Sequence, residues 1–315
     1  MSPVPPIRVA VVGCGHFGRH HAEKYAACHE ALLVAVVDRD PAAAQHLADR
    51  LGVMALTSAD ALIGRVDAVS VAVPTSEHAA VASRLLEGGL HVLVEKPIAT
   101  SLDEAGALIA LAARRGRVLQ VGHLERFNAA VLALEDVIEA PLFIESHRIA
   151  PFSPRGTDVD VVLDLMIHDI DLIQLLVGQP LAAIDAVGVP VLSGRDDIAN
   201  ARLRFEGGCV ANVTASRVSF KSERRMRLFQ RNAYISIDFS TASATIARKD
   251  PASDAVIPGI ALEHRSLPAK DALMLEIEAF LAAIRGEREV AVSGEDGRRA
   301  LATALQITAA LQRPD

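Results

Sequence analysis

The sequence predicts a two-domain protein that combines an α/β domain with an α+β domain. Up to about residue 123, short apolar runs alternate with amphipathic helical stretches, a pattern typical of a doubly wound parallel sheet in a Rossmann fold. After Phe127, strand-like runs follow one another across Gly and Asn turns, which indicates an open antiparallel β-sheet with helices. We therefore expect one domain over residues 1–124 and a second over residues 125–315, whose last helices are candidates to pack on the first.

The elements of the first domain follow one another in regular order. The predicted strands are Ile7–Val12, Leu32–Val37, Ala68–Val73, His91–Val94 and Val118–Val121. The predicted helices are Arg19–Ala27, Pro41–Leu51, His78–Glu87 and Ser101–Arg115. Nearly every residue of the first strand is apolar, as expected for a strand that is buried on both faces.

The second domain has one strongly helical stretch, Val161–Val177, followed by shorter strands. The predicted strands are Ala182–Val191, Ala201–Phe205, Val210–Ser219, Arg225–Gln230 and Ala233–Asp238. The region 249–269 contains three prolines and is predicted to be irregular, and two helices, Ala272–Arg285 and Glu295–Leu311, close the chain. Apolar residues of the sheet, namely Val210, Val213, Leu228 and Ile235, are expected on an open face that a second copy covers, which predicts a homodimer or homotetramer.

Composition limits the classes of function. The net charge of −7 argues against sequence-independent nucleic-acid binding, which needs clustered basic residues. No apolar run reaches the length of a membrane span, and the first residues lack the features of a signal peptide. The three cysteines have no metal-ligand spacing and fit a reducing compartment. We therefore expect a cytoplasmic protein.

The strongest local signal is Gly13-Cys-Gly-His-Phe-Gly18, between the first strand and the first helix. Gly13 permits a tight turn, Gly15 lets the backbone approach a pyrophosphate, and Gly18 lets the helix pack on the strand. His16 and Phe17 lie inside this cofactor-binding loop. The helix N-terminus presents free N–H groups to the phosphates. The alternative is an ordinary strand–helix turn.

An acid, Asp38, ends the second strand 20 residues after Gly18. A carboxylate there accepts the ribose hydroxyls and repels a 2′-phosphate, which favours NAD. Arg39 follows Asp38 and leaves NADPH as an alternative cofactor, because a guanidinium can bind the 2′-phosphate.

Two further strands end in polar residues that we expect at the cofactor edge of the sheet, because ligands bind outside the carboxyl ends of such strands. Pro74, Thr75 and His78 follow the third strand, and Glu95 and Lys96 follow the fourth. An ammonium at Lys96 could hydrogen-bond a substrate hydroxyl and stabilise developing negative charge. The alternatives are a capped helix start and a surface lysine.

In the second domain, Asp164 and His168 lie four residues apart on one predicted helix face. A carboxylate beside an imidazole orients it and supports its protonated form, which makes His168 a candidate general base. The alternatives are an acid cluster that complements the helix dipole, and a metal site. No third ligand is evident, so no metal is predicted.

Together, these motifs resemble the glucose–fructose oxidoreductase / inositol dehydrogenase family across essentially the whole chain. The matching residues are Gly13 to Gly18, Asp38, Glu95-Lys96-Pro97, Asp164-Leu-Met-Ile-His168 and Gly294-Glu-Asp-Gly-Arg-Arg-Ala300. The resemblance implies an N-terminal Rossmann domain, an open C-terminal sheet, and a catalytic lysine and histidine that meet between them. It implies NAD-dependent oxidation of an alcohol, with Asp164 orienting His168. Which of Lys96 and His168 accepts the proton stays open.

Two stretches, Gly122–Asn128 and Asp160–Asp171, are most similar to the UDP-N-acetylglucosamine 3-dehydrogenase branch of that family. This similarity implies a UDP-sugar substrate and a partner aminotransferase that converts the 3-keto product to a 3-amino sugar for lipid A of lipopolysaccharide. One departure is Ala129, where related chains often have Pro. Alternatives are a free sugar, an inositol or a UDP-sugar uronate as substrate, or a cofactor-sensing regulator without turnover.

A UDP-sugar carries two phosphates and needs bidentate or backbone donors. Arg126 and Asn128 begin the second domain and are candidates to reach the sugar. Arg148 and Arg155 are candidates to clamp the diphosphate. For each arginine the alternative is an ordinary ion pair.

Overall fold

The computed structural model of the chain describes residues 5–134, 136–153, 160–253, 257–266 and 271–312. The chain divides into two compact units. The first comprises Met1–Leu124 with Asp271–Leu301, and the second comprises Glu125–Lys270 with Ala302–Asp315. Among the described residues, no helix combines the length and apolar character that a bilayer span needs.

The first unit is built on a six-stranded sheet in which every pair is parallel. Its strands are β1 Ile7–Val12, β2 Ala31–Val37, β3 Met54–Leu56, β4 Ala68–Val71, β5 His91–Glu95 and β6 Leu119–Gly122. Their order, β3-β2-β1-β4-β5-β6, reverses direction between β1 and β4, where such sheets bind ligands. The predicted parallel sheet is confirmed, and the three-residue β3 was not predicted.

Four helices connect these strands, and local residues fix where they begin and end. They are α1 His16–Ala27, α2 Pro41–Leu51, α3 Thr75–Glu87 and α4 Leu102–Arg115. The carboxylate of Asp40 accepts a hydrogen bond from the N–H of Ala42 and caps α2, which begins with Pro41. The helix stops at Gly52, whose φ of +68° suits glycine.

The second unit contains a nine-stranded sheet that is mostly antiparallel, as predicted. Its strands are β7 Phe143–Ile149, β8 Leu181–Val189, β9 Ile198–Phe205, β10 Val210–Ser216, β11 Glu223–Phe229, β12 Tyr234–Asp238, β13 Ser243–Lys249, β14 Ile260–Ser266 and β15 Leu311–Gln312. The order is β14-β13-β12-β11-β7-β10-β9-β8-β15. Two pairs, β7 with β10 and β8 with β15, are parallel.

Four strands of this sheet were missed by the sequence prediction, one of them the two-residue β15. β7 lies in the middle of the sheet, and β13 and β14 form a hairpin at one edge. The region 249–269, predicted to be irregular, therefore contains β14. This edge strand carries Glu263, His264 and Arg265, so it lacks the apolar alternation that marks a half-buried strand.

The expectation of an open apolar sheet face is wrong for most of the residues named for it. Val213, Leu228 and Ile235 are fully buried within the single chain, and only Val210 is partly exposed. Alternate residues of a strand point to opposite faces, and the apolar set of this sheet points inward. The outward positions are polar, as in β9, where Arg202 is exposed.

The remaining helices are α5 Ala129–Leu132, α6 Ile167–Val177, α7 Ala272–Ile284 and α8 Gly294–Ala310. A π-helical turn, Val162–Met166, leads directly into α6. The division between the two units falls within α8. α7 belongs to the first unit, where its Ile277, Phe280 and Leu281 pack in the core around Tyr25.

Candidate active site

The glycine loop of the first unit has the geometry that a dinucleotide pyrophosphate needs. Gly13 has a φ of +98°, and a Cβ on it would strike the carbonyl of Ala72. A Cβ on Gly18 would overlap the carbonyl of Gly13, so α1 can approach the strand only with glycine there. A Cβ on Gly15 meets nothing within 4 Å, so its backbone faces open space. The tight turn at Gly13 and the close packing at Gly18 are as predicted, and the role of Gly15 toward a pyrophosphate stays a prediction.

A cavity of about 510 Å³ opens beside this loop. Of the predicted cofactor residues it is lined by Gly13, Gly15, His16, Phe17, Asp38, Arg39 and Pro74. Thr57, Ser58, Glu77 and Arg84, which the sequence reasoning did not single out, line it too. The volume and the glycine cradle fit a dinucleotide.

The carboxylate of Asp38 is fixed at one end of this cavity. Its Oδ2 accepts the N–H of Cys14 at 2.7 Å, and its Oδ1 accepts the N–H of Asp40 at 2.9 Å. Arg39 is held by Glu77, whose carboxylate lies 2.9 Å from the guanidinium. A second carboxylate at this rim further disfavours a 2′-phosphate, so the geometry supports NAD.

The sulfur of Cys14 is not a candidate nucleophile. Burial, with the charge of Asp38, raises the pKa of this thiol to about 12. The thiolate is the reactive form, so the side chain acts as a small filler in the loop.

His78 occupies a structural position in the first unit. Its ring nitrogens lie 2.8 Å from the carbonyl of Pro97 and 2.9 Å from that of Val73. The side chain is buried, and burial lowers the pKa of this imidazole. His78 thus ties together the two loops that follow β4 and β5, whereas the sequence analysis placed it against the cofactor. Its neighbour Thr75 is the first residue of α3.

Lys96 follows directly after β5, at the carboxyl edge of the parallel sheet, and is joined to Pro97 by a cis peptide bond. Its backbone N–H contacts Oε2 of Glu95 at 3.3 Å. The other oxygen of Glu95 lies 2.8 Å from Nε2 of His21 on α1. Burial alone would raise the pKa of Glu95, but the His21 hydrogen bond and the charges of His21 and Lys96 hold it below its ordinary value. Glu95 is therefore ionised beside the lysine.

Sequence reasoning did not find His21, although a signal for it exists. Gly18, His21, Ala22 and Tyr25 recur at helical spacing and form the buried face of α1. A histidine within an otherwise small and apolar stripe indicates a buried polar partner.

In the second unit, Asp164 and His168 lie on either side of the junction between the π-helical turn and α6. Both side chains are partly exposed, whereas Met166 and Ile167 between them are buried. The start of this segment is fixed by Asp160, whose Oδ1 accepts two backbone N–H groups at 3.0 Å. π-Helical turns often occur at functional sites because they shift side chains relative to an ordinary helix. The predicted helix is confirmed, and the roles of the two residues stay predictions.

Two of the predicted substrate arginines are committed to buried ion pairs within the second unit. Arg126 contacts both carboxylate oxygens of Asp171, at 2.7 and 2.6 Å. Arg148 contacts Asp169 at 2.6 Å and Glu125 at 2.9 Å. This geometry favours the ion-pair alternative over a clamp on a diphosphate.

The pKa of Arg148 lies above its ordinary value. Burial would lower it, but the charges of Asp169 and Glu125 outweigh burial. The guanidinium therefore stays charged, and its neutralising partners are supplied by the protein itself.

Asn128 caps the short helix α5, because its side-chain oxygen accepts the N–H of Ala130 at 3.0 Å. Its amide nitrogen lies 3.4 Å from the carbonyl of Phe239. Arg155 lies outside the described residues.

Comparisons with known proteins agree with this geometry. Residues 7–123 match the NAD-binding Rossmann domain model of the Gfo/Idh/MocA oxidoreductase family, and residues 147–236 match a C-terminal domain model of that family. The chain is 43% identical over 307 residues to UDP-N-acetylglucosamine 3-dehydrogenase from Acidithiobacillus ferrooxidans, covering 97% of each chain. It is 26% identical to inositol 2-dehydrogenase from Rhizobium meliloti, covering 95% of this chain and 94% of the relative.

A solved structure of the Acidithiobacillus enzyme superimposes with a TM-score of 0.93 at 42% identity, covering 98% of each chain. The fold of this chain is therefore a known one. The chain belongs to the Gfo/Idh/MocA family of NAD-dependent oxidoreductases.

Proposed function

We propose that this protein oxidises the 3-hydroxyl of UDP-N-acetylglucosamine to the 3-keto sugar nucleotide, with NAD as the oxidant. The observation that carries this proposal is the 43% identity, over nearly the whole chain, to an enzyme of that activity. Glu95-Lys96-Pro97 and Asp164 with His168 are both present here, so the residues implied for alcohol oxidation are intact.

The first unit binds and orients the cofactor. The backbone around Gly15 and the start of α1 hold the pyrophosphate, and Asp38 accepts the ribose hydroxyls. When bound, NAD supplies the nicotinamide carbon that accepts a hydride. The contribution of the protein is mainly position and charge.

The catalytic roles fall to one lysine and one histidine. His168 would remove the proton of the 3-hydroxyl as C3 is oxidised. Lys96 hydrogen-bonds the same oxygen and stabilises negative charge on it. Asp164 orients His168. A proton acceptor at Lys96 is the alternative assignment.

The contacts to the UDP part are less direct. Arg126 and Arg148 are proposed to act by holding Asp171 and Asp169 in place, since their guanidinium groups are neutralised there. Asn128 and Arg155 remain proposed contacts to the substrate.

A panel of UDP-sugars, free sugars and inositols with NAD, read by NADH absorbance, tests the proposal. We expect turnover with UDP-N-acetylglucosamine and little with inositol. Isothermal titration with UDP alone is the control for nucleotide recognition. NADH formation only with a free sugar or an inositol, together with no binding of UDP, would contradict the substrate assignment. A chain that binds NAD but turns over nothing would instead favour a sensor.

The wider role is also proposed. A 3-keto sugar nucleotide is the substrate that an aminotransferase needs, so we propose that the product feeds a 3-amino sugar for lipid A of lipopolysaccharide in the cytoplasm. We further propose that the protein is a homodimer or homotetramer. Sedimentation showing only monomer at micromolar concentration would contradict the second of these proposals.

A further inference from the structure

A buried chain of hydrogen bonds runs through the first unit and ends at the residue before the proposed catalytic lysine. The hydroxyl oxygens of Tyr25 and Ser70 lie 2.9 Å apart, and Ser70 Oγ lies 3.2 Å from Nδ1 of His21. Nε2 of His21 lies 2.8 Å from Oε1 of Glu95. Tyr25, Ser70 and His21 are at most 1% exposed.

One donor in this chain can be assigned by elimination. An ionised carboxylate only accepts, so His21 donates its Nε2–H to Glu95. On the other side of the ring, Nδ1 contacts the hydroxyl of Ser70, which in turn contacts that of Tyr25. The ring nitrogen that faces Glu95 therefore carries a hydrogen.

A second carboxyl group, that of Glu276 on α7, faces the same place in this unit. Its residue is 0% exposed, and neither of its carboxyl oxygens has a hydrogen-bond partner among the described residues. One of these oxygens lies within 4.8 Å of both a ring nitrogen of His21 and a carboxylate oxygen of Glu95. Two hydrogen bonds of about 2.8 Å to a single water span a gap of this size.

Two negative charges at this separation in a buried site are mutually unfavourable, which favours a proton on one of the two carboxyl groups. We propose that Glu276 is a positioning residue that holds this proton and shares it with Glu95 through one bridging water. The pair then carries a single negative charge beside Lys96.

The electrostatic surroundings agree with this arrangement. Burial, with the negative charge of Glu95, raises the pKa of Glu276 well above its ordinary value. The pKa of Glu95 is lowered against the effect of its own burial, by His21, Lys96 and more weakly His78.

Two other described side chains near this site, those of Tyr25 and Gln120, are uncharged. Tyr25 on α1 stays protonated, since burial raises the pKa of its phenol. Cys28 raises this pKa slightly further. Gln120 on β6 donates to the backbone carbonyl of Glu276, which fixes α7 but leaves the carboxyl group to the water.

The consequence for catalysis rests on the proposed function. One negative charge balances one ammonium at Lys96, whereas a second charge would bind the lysine proton more tightly. Glu276 would in this way set the pH range over which Lys96 is protonated, without touching substrate or cofactor.

A divalent metal held by the three groups is the competing assignment. If the metal were bound by Nε2 of His21, this nitrogen would lose the hydrogen that it donates to Glu95. A ring nitrogen cannot donate a hydrogen bond and ligate a metal at the same time. The 2.8 Å contact favours the proton, and metal analysis of the purified protein decides the matter independently.

The experiment is infrared difference spectroscopy of the protein without substrate, with ¹³C-labelled glutamate to identify the band. We expect a protonated carboxyl stretch near neutral pH that disappears at strongly alkaline pH. The variant Glu276→Gln should lose the band, and the matched control Glu278→Gln, an exposed residue of the same helix, should keep it. Near neutral pH, Glu276→Gln should keep kcat within about twofold, because it replaces one neutral group by another, and its pH profile should lack one alkaline ionisation.

Absence of the labelled band in the wild-type protein would overturn the proposal, even if Glu276→Gln failed to fold. Persistence of the band in that variant, or one bound divalent ion per chain that is lost with Glu276, would do the same. None of these spectra involves UDP-N-acetylglucosamine, so a wrong substrate assignment leaves them interpretable.

Discussion

At the scale of single residues, the first unit shows how completely backbone groups can fix one side chain. Both carboxylate oxygens of Asp38 are oriented by N–H groups, from Cys14 and from Asp40. The remaining lone pairs of these oxygens can accept hydrogen bonds from a ligand in the cavity that Asp38 lines. The orientation costs nothing at the moment of binding, because it exists beforehand.

The variant Asp38→Ala should weaken NAD binding. Loss of charge-assisted hydrogen bonds to the ribose should raise KM for NAD about tenfold or more, and the ratio of NADP to NAD turnover should increase. Steady-state kinetics with both cofactors measure this. Asp49→Ala on α2 is the control, because Asp49 contacts Gln45 on the surface of the same helix. An unchanged KM for NAD in Asp38→Ala would refute the ribose assignment.

The variant His168→Ala should lower kcat about 100-fold or more, the usual contribution of a positioned general base. Its thermal stability and UDP binding should stay close to those of the wild-type protein, because the side chain is partly exposed. His147→Ala is a matched control: this histidine lies in the same unit on β7 and is 42% exposed. Near wild-type turnover in His168→Ala would show that another group accepts the proton.

At the scale of elements, the loop between β8 and β9 is organised by one buried carboxylate. Asp197 accepts hydrogen bonds from the N–H groups of Val191, Leu192 and Ser193, and it pairs with Arg217 at 2.9 Å. Burial alone would raise the pKa of Asp197, but these donors together hold it well below its ordinary value. The ionised form is therefore the one that holds the loop.

The variant Asp197→Asn should lower the free energy of unfolding by about 3 kcal/mol at neutral pH, because it leaves Arg217 buried without its charge partner. Since folding lowers the pKa of Asp197, the full stability difference between wild type and variant is present above the pKa that Asp197 has in the unfolded chain. The difference is lost as pH falls through the pKa of Asp197 in the folded state. Urea titrations at several pH values measure this convergence.

The control for this loop is Asp185→Asn, which breaks an exposed pair with Arg204 at 3.7 Å. Surface pairs contribute little, so its effect should stay below about 1 kcal/mol at every pH. A constant difference between Asp197→Asn and wild type down to strongly acidic pH would contradict the assignment of the charged form.

Elements also differ in how far they could be predicted. The strands of the parallel sheet were found because they are buried on both faces and read as apolar runs. β7 was missed because its interior carries Ser146 and Arg148, whose burial depends on polar partners such as Asp169 on α6, and for Arg148 also Glu125. A charged residue looks exposed in a sequence until the partner that neutralises it is known.

The positions of Asp38 and Lys96 were predictable because each residue directly follows its own strand. The contacts of a site residue were not predictable where its partner is distant in the sequence. His21 and Glu95 are 74 residues apart, and nothing local links them. The π-helical turn before His168 likewise has no signature in the apolar pattern.

At the scale of the whole molecule, the two units should respond differently to the cofactor. NAD contacts are proposed for the first unit, so binding should slow amide hydrogen exchange in β1, α1 and the loop after β4 more than in the nine-stranded sheet. At about a hundredfold excess over Kd, stabilisation of about 2.7 kcal/mol is expected, which a thermal shift measures. Equal protection of both sheets would argue against binding confined to the glycine-loop cavity.

α7 belongs to the first unit although it follows the strands β7–β14 in sequence. This order has a consequence for folding during synthesis on the ribosome. The chain emerges from its N-terminus, and the six strands of the parallel sheet are complete once Gly122 is out. The core around Tyr25 nevertheless needs Ile277, Phe280 and Leu281, which are synthesised after strands β7–β14 of the second unit. The first unit therefore reaches its native state only after those strands have been made, and until then its apolar surface is open to chaperones.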